Sequence, residues 1–190
     1  MNYVLTGVRA GMANSDDLAQ IIAGCKNGDS QSFSQLVDRF ASRCYGYFYR
    51  LCGNRELSDE LLSQLFVKLV EKIGSYKDGC FESWLFTMAS NIFHDYLREK
   101  QRQKKLFDGH KNQLEEEIRG SGKTDSESID QLQAQLAKLD ADTRELIVMR
   151  FYSDLSFKEI AEMRSEPIGT TLSKVHRGLK KLREMMGIVI

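Results

Sequence analysis

The sequence predicts an all-α fold, arranged as two small helical domains joined by a flexible linker. Apolar residues recur at helical spacing in every long segment, and the alternation of polar and β-branched residues that is typical of strands is absent. Pro167 is the one proline in 190 residues. A polar stretch with glycine and serine interrupts the helical pattern and predicts the linker. The predicted divisions are an N-terminal extension (1–15), a first domain (16–105), a linker (106–129) and a second domain (130–190).

The first domain contains four predicted helices, each with an apolar face. They cover about Asp16–Cys25, Ser30–Cys52, Leu57–Ile73 and Phe81–Lys105. Gly53 follows the second helix and suits a left-handed residue that ends it. Such helices can share one compact core.

In the second domain the helical pattern returns at about Asp130, and its last part carries the most specific local signal. Ser156 and Glu159 have the spacing of a capping box that opens a short helix. After a four-residue break, Pro167 suits the first turn of a longer helix that runs to about Met186. A short helix, a tight turn and a longer helix predict a helix-turn-helix, whose second helix lies in the major groove of DNA. An ordinary αα-hairpin with a solvated face is the alternative.

Asp142 and Glu145 have the same spacing as a capping box and predict the start of another helix, whose apolar residues are Leu146, Ile147, Met149 and Phe151. In the longer helix, helical phase places Ile168, Val175, Leu179 and Leu182 toward the core. The same phase places Thr170, Thr171, Ser173, Lys174 and Arg177 toward solvent.

Composition excludes several functional classes. Apolar residues are 42% and charged residues 28% of the chain, which is typical of a folded protein, and no apolar run approaches the ~20 residues of a membrane span. The N-terminus lacks the apolar core of a signal peptide, so we expect a cytoplasmic protein without membrane insertion. The net charge is zero, but basic residues cluster at 98–105 and 164–184. Such clusters can bind phosphate locally, although two solvated helix faces would have the same charges.

Catalytic and metal-binding patterns are absent from the sequence. The four cysteines are far apart and the three histidines are dispersed, so no zinc-ligand spacing occurs. No nucleophile with a base and no phosphate-binding glycine loop is present. We expect no catalytic residues, no metal and no cofactor, and hence no enzyme.

Together the two halves resemble a bacterial sigma factor of the extracytoplasmic-function (ECF) group, which keeps only regions 2 and 4 of the larger sigma factors. SFSQLVDRFASRCYGYFYRLCGNRELSDELLSQLFVKLVEKI and FESWLFTMASNIFHDYLREKQRQKK resemble region 2. LAKLDADTRELIVMRFYSDLSFKEIAEMRSEPIGTTLSKVHRGLKKLRE resembles region 4. The resemblance runs from about Asp16 to Met186. It implies a subunit that binds core RNA polymerase through the β′ clamp helices and the β flap, binds and melts promoter DNA, and is held inactive by an anti-sigma factor until a signal arrives.

The resemblance also implies three sets of contact residues. The clamp helices of the β′ subunit would contact the third helix through Asp59, Glu60, Leu61, Gln64, Phe66 and Lys68. The nontemplate strand of the minus-ten element would contact Lys77, Phe86, Ser90, Asn91, His94 and Arg98, because strand binding needs aromatic platforms beside cations. The minus-thirty-five element would contact Thr170, Thr171, Ser173, Lys174, Arg177, Lys180 and Lys181.

The sequence departs from the family pattern at several positions. Thr87 and Leu172 stand where the family often has a basic residue, and Ser63 stands where glutamine is common. The turn residues Arg164, Ser165 and Glu166 replace an apolar, glycine and apolar trio, so a non-glycine residue with positive φ is expected there at a cost of ~1 kcal/mol.

Two other functional classes stay open from the residues alone. One is a helix-turn-helix regulator that binds DNA without being a polymerase subunit, its first domain being a sensor or dimerisation module. The other is a helical scaffold that binds only proteins. Promoter-directed transcription with core polymerase distinguishes a sigma factor from both alternatives.

Overall fold

A computed structural model describes residues 15–77, 79–107 and 127–187 of the chain. These parts contain eight α-helices and a short 3-10 turn, Ile73–Ser75, but no strand. The helices are α1 (Ser15–Lys26), α2 (Ser30–Cys52), α3 (Arg55–Lys72), α4 (Phe81–Phe107), α5 (Glu127–Ala137), α6 (Ala141–Phe151), α7 (Phe157–Met163) and α8 (Ile168–Met185). The all-α prediction is confirmed. The predicted N-terminal extension and most of the predicted linker lie outside the described residues.

Local signals explain where several helices begin and end. Gly53, at φ 68°, follows α2 in the left-handed conformation that was predicted for it. The side chain of Asn54 then accepts a hydrogen bond from the Leu57 amide at 2.9 Å, so α3 begins two residues before its predicted start.

The predicted capping box of Asp142 and Glu145 is wrong. Asp140 caps α6 instead, and its carboxylate accepts the Thr143 amide at 2.8 Å. Glu145 is the fifth residue of α6, two residues beyond the position that a capping box uses, and its side chain is buried. Phe151, expected among the apolar residues of this helix, is 57% exposed at its last position.

The contacts within the chain divide it after Arg39, inside α2. The first unit holds α1 and the first half of α2. Asp29 accepts the Ser32 amide at 2.8 Å at the start of α2, and Arg39 forms an ion pair with Asp17 at 3.4 Å. Ile22 and Cys25 are buried side chains of α1.

The second unit begins at Phe40 and contains every later helix. Its first core lies among the second half of α2, α3 and α4, whose apolar stripes meet as their spacing predicts. The Phe40 and Phe81 rings lie 5.4 Å apart, and Leu65, Leu69 and Leu85 are almost completely buried. This core orients the outer faces of α3 and α4.

The second core of this unit lies among α6, α7 and α8. Leu146, Met149, Ile160 and Val175 are buried in it. Gly178 of α8 lies so close to α6 that an added Cβ would overlap Thr143 and Ile147. The missing side chain therefore permits the close helix crossing that sets the direction of α8.

Candidate nucleic-acid interface

The α7–α8 segment has the helix-turn-helix geometry. Ser156 accepts the Glu159 amide at 3.2 Å, and the Glu159 carboxylate accepts the Ser156 amide at 2.7 Å, which confirms the predicted capping box. Ser165 has φ 50°, so the turn contains the expected non-glycine residue in the left-handed region. Pro167 precedes the first residue of α8. The turn holds the start of α8 at a defined angle to α7.

The solvent-facing side of α8 differs from the predicted one. Thr171 is completely buried, and with Val175, Gly178 and Leu182 it forms the inner side of the helix. Ile168, predicted in the core, is 48% exposed and is the first residue of the helix. The exposed side chains of this helix include Thr170, Leu172, Ser173, His176, Arg177, Lys180 and Lys181.

A carboxylate network at the turn binds two of the predicted base-contact residues. Glu166 accepts the Thr171 hydroxyl at 2.7 Å and the Lys174 ammonium at 2.8 Å. Lys174 also forms an ion pair with Asp142 at 3.1 Å. The prediction that Thr171 and Lys174 face solvent is therefore wrong. Both side chains bind acidic residues of α6 and the turn, which lie on their side of α8, and so stabilise the helix-turn-helix.

A second network surrounds Glu145 of α6, whose side chain is fully buried. One carboxylate oxygen accepts the hydroxyls of Tyr47 and Ser90, each at 2.7 Å. The other oxygen accepts His94 Nε2 at 2.9 Å and Arg164 Nη1 at 3.1 Å. Arg164 also bonds to Asp142. A buried carboxylate is tolerated because both of its oxygens have donors and a cation.

This network joins α2 and α4 to the helix-turn-helix and changes the pKa values of His94 and Tyr47. The hydrogen bond to Glu145 raises the pKa of His94 above its usual value, while burial and the nearby charges of Arg164 and Arg98 oppose that rise. Burial raises the pKa of the Tyr47 hydroxyl well above its usual value. Tyr47 therefore remains a hydrogen-bond donor at neutral pH.

The predicted minus-ten residues lie on α4 and the loop before it, with different exposures. Lys77, Asn91 and Arg98 are exposed, whereas Ser90 and His94 are half-buried by their contact with Glu145.

Phe86 is fully buried, so its predicted place on the polar side is wrong. Its ring packs edge-on against Tyr47, with centroids 5.5 Å apart, beneath the guanidinium of Arg43. The reason is that α4 packs against α2 as well as α3, so its buried arc is wider than a single stripe. Trp84 and Tyr96 of the same helix are half-buried.

The predicted polymerase contacts on α3 also divide by burial. Asp59, Glu60 and Gln64 are exposed, while Phe66 and Lys68 are half-buried. Leu61 is a core residue at 1% exposure and cannot reach a partner in this arrangement.

Two valines that the sequence analysis did not select, Val67 and Val70, are 61% and 56% exposed on the same helix. Val67 lies one turn beyond Gln64, so the exposed valines of α3 lie between the acidic residues Glu60 and Glu71, which are also exposed.

Glu145 and Leu172 are the main residues of the site that sequence reasoning missed as functional candidates. Glu145 directly precedes the apolar run Leu146–Met149. Because residues three apart lie on the same side of a helix, Glu145 shares the side of Val148. That spacing signals a buried acid, but its four donors come from distant segments that the sequence does not bring together.

Comparisons with known proteins agree with both halves of this arrangement. The family model described as Sigma-70 region 2 matches residues 36–103, and the one described as Sigma-70, region 4 matches residues 129–182. The RNA polymerase sigma factor CarQ of Myxococcus xanthus is 30% identical over 163 residues, which cover 85% of this chain and 93% of CarQ. The chain belongs to the extracytoplasmic-function sigma factors.

Other members of the group are similar over most of the chain. The ECF sigma factor SigE of Mycolicibacterium smegmatis is 30% identical over 158 residues, which cover 82% of this sigma factor and 62% of SigE. The structure of RpoE, solved in complex with the anti-sigma factor NepR from Bartonella quintana, is 23% identical, with a TM-score of 0.72 over 84% of this chain and 99% of RpoE. That likeness supports the fold. Sigma factors are regulatory subunits of RNA polymerase and not catalysts.

The described residues meet neither the requirements of a metal site nor those of a membrane span. Within them, no cluster of three acidic, cysteine or histidine side chains could hold a metal ion, and no helix has the length and apolar character needed to cross a membrane. Cys25 and Cys44 are buried, Cys52 is half-buried and Cys80 is exposed. Burial raises the pKa of both Cys44 and Cys52 to about 12.

Proposed function

We propose that this sigma factor binds core RNA polymerase through α3 and promoter DNA through α4 and α8, and so directs transcription initiation. The observation that carries the proposal is the helix-turn-helix at α7–α8, whose second helix turns a cationic side toward solvent with Arg177, Lys180 and Lys181 exposed. A basic, exposed second helix suits the major groove and its flanking phosphates. The region 2 match supports this function over a DNA-binding regulator without a polymerase contact.

The proposed polymerase-binding surface consists of Glu60, Gln64, Val67 and Val70 on the outside of α3. This surface leaves out Leu61, one of the predicted contacts with the β′ clamp helices, because Leu61 is in the core. Exposed valines beside an acidic residue can bind a basic helical partner such as the β′ clamp helices. The apolar centre contributes affinity, while the charge contributes orientation and association rate.

The proposed minus-ten surface uses Asn91, Arg98 and Lys77, which are exposed on α4 and its preceding loop. Ser90 and His94 can join it only when they leave Glu145, since both now bond to that carboxylate. Binding of the nontemplate strand by those two side chains therefore competes with the contact between α4 and α6. In this proposal the strand-binding surface is complete only after α6 has separated from α4.

We further propose that residues 16–105 and 130–190 act as separate domains joined by residues 106–129, as the two family matches support. An anti-sigma factor that holds such domains together would control the protein, by analogy with RpoE and its bound NepR. The proposed location is the cytoplasm, where RNA polymerase works.

Promoter-directed transcription tests the proposal. Purified protein is added to core RNA polymerase on a genome-wide template library, and transcript 5′ ends are sequenced. We expect transcripts from a defined promoter set that the core enzyme alone does not produce. Absence of any such set would contradict the proposal.

Matched variants separate the two binding surfaces. The double variant Val67→Glu, Val70→Glu should lose binding to core polymerase, because it adds charge to the apolar centre, while retaining its helical content by circular dichroism. Arg177→Ala should retain binding to core polymerase and lose promoter selection. Glu162→Ala, at an exposed position of α7, serves as the control and should change neither.

A further inference from the structure

The N-terminal half of α8 carries few polar side chains that are free to contact bases. Thr171 and Lys174 are bound to Glu166. The Ser173 hydroxyl donates to the Gly169 carbonyl at 2.7 Å, one turn earlier in the same helix. The donors of this segment that were expected to contact bases are therefore largely committed to the protein itself.

Two large apolar side chains are exposed on this part of the helix: Ile168, its first residue, and Leu172, one turn inside it. Leu172 is the one that lies within the helix proper. It is 43% exposed and lies between the buried side of α8 and the exposed Ser173 and His176. Arg177 and Lys180 follow on the solvent side, one and two turns further along, where they can reach phosphates. Leu172 thus stands in the part of a second helix that faces base edges, with cations behind it.

The chemistry of the major groove offers one kind of partner for such a side chain. Among the base edges exposed there, only thymine presents a methyl group, and the other edges present hydrogen-bond donors and acceptors. Packing leucine against polar base edges would leave them without partners. Packing it against the methyl group removes apolar surface of both from water.

We propose that Leu172 is a specificity-determining residue that packs against the C5 methyl group of a thymine in the minus-thirty-five element. The inference rests on the proposed function and names the chemistry that α8 selects. A lysine or arginine at this position would instead donate hydrogen bonds to guanine. The leucine therefore changes the preferred base as well as the affinity.

Replacement of thymine by deoxyuridine tests this inference, because it removes the methyl group and leaves base pairing unchanged. Each thymine of a promoter identified by the transcription assay is replaced singly, and holoenzyme binding is measured by competition. With the wild-type protein we expect roughly four-fold weaker binding at one position, the factor that corresponds to burial of one methyl-sized group. The other positions should change little.

Three variants assign the effect to the side chain. Leu172→Ala should abolish the difference between thymine and deoxyuridine, whereas Leu172→Met should keep it. His176→Ala, on the same exposed side, is the matched control and should also keep it. Circular dichroism checks that each variant retains its helices, which the partial exposure of Leu172 favours.

Two results would overturn the inference while leaving the proposed function intact. One is a wild-type holoenzyme that selects promoters but binds every deoxyuridine template as well as its parent. The other is a Leu172→Ala holoenzyme that keeps the full preference for thymine. If the wild-type protein selects no promoter at all, the proposed function fails and this inference fails with it.

Discussion

Replacement of Glu145 is the most direct test of how the two halves of the second unit are held together. Its carboxylate is fully buried and accepts hydrogen bonds from Tyr47, Ser90, His94 and Arg164 at 2.7 to 3.1 Å. Glu145→Ala removes the acceptor and leaves buried donors without a partner. Breaking a buried ion pair in this way costs about 3 to 5 kcal/mol.

The lower end of that range is expected here, because Arg164 keeps its bond to Asp142 when Glu145 is removed. A loss of about 3 kcal/mol lowers the melting temperature of a chain of this size by roughly 6 to 12 °C. Glu145→Gln should cost only about 1 to 2 kcal/mol. Its amide group can donate to the hydroxyls of Tyr47 and Ser90, which are able to accept as well as donate.

The assay is thermal and urea unfolding followed by circular dichroism at neutral pH. Glu162→Ala is the control. Glu162 is exposed, and its ion pair is long, with 3.9 Å between Glu162 Oε1 and Lys158 Nζ. Its effect should stay within about 0.5 kcal/mol. A Glu145→Ala variant as stable as the control variant, or a Glu145→Gln variant as damaging as Glu145→Ala, would refute this role of Glu145.

Three further predictions concern packing, pH and thiol reactivity. Gly178→Ala should reduce the free energy of unfolding by about 1 to 3 kcal/mol in urea titrations, because its Cβ overlaps α6. Gly169→Ala in the same helix meets open space and should not destabilise the protein; equal losses would contradict the packing argument. The hydrogen bond to Glu145 raises the pKa of His94. The stability that protonated His94 gains from this bond is therefore fully present below pH ~6.5 and is lost as the pH rises through the raised pKa. The difference in unfolding free energy between wild type and a His94→Gln variant should therefore shrink between pH 6 and pH 8, and a constant difference would exclude this linkage. Cys80, the exposed cysteine, should react with a coloured disulfide reagent faster than Cys25, Cys44 and Cys52 in the native protein, even though burial raises its pKa; any of those three reacting as fast as Cys80 would contradict the observed burial.

The helices and their ends were predictable because they depend on neighbours in the sequence. The stripe of α2, the capping box at Ser156 and the left-handed Ser165 follow from spacing and backbone sterics over a few residues. The same holds for the helix-turn-helix, whose elements are contiguous. Family membership, too, was predictable from two linear patterns in the right order.

The exposure of individual side chains was less predictable, because it depends on how many neighbours a helix has. One apolar stripe was expected for α4, but α2 and α6 also contact it, so Phe86 packs against Tyr47 and Ser90 donates to Glu145. On α8, carboxylates at Asp142 and Glu166 bind Lys174, which phase alone had placed toward DNA.

The sequence by itself determined that the chain is helical, where most helices begin and end, and that it is a sigma factor. All of these depend on local spacing and on linear motifs. Only the tertiary structure decided which polar residues are available to a partner and which are used inside the protein. The physical reason is that a buried charge such as Glu145 must be matched by donors from α2, α4 and the turn after α7, and those segments are adjacent only in the folded chain.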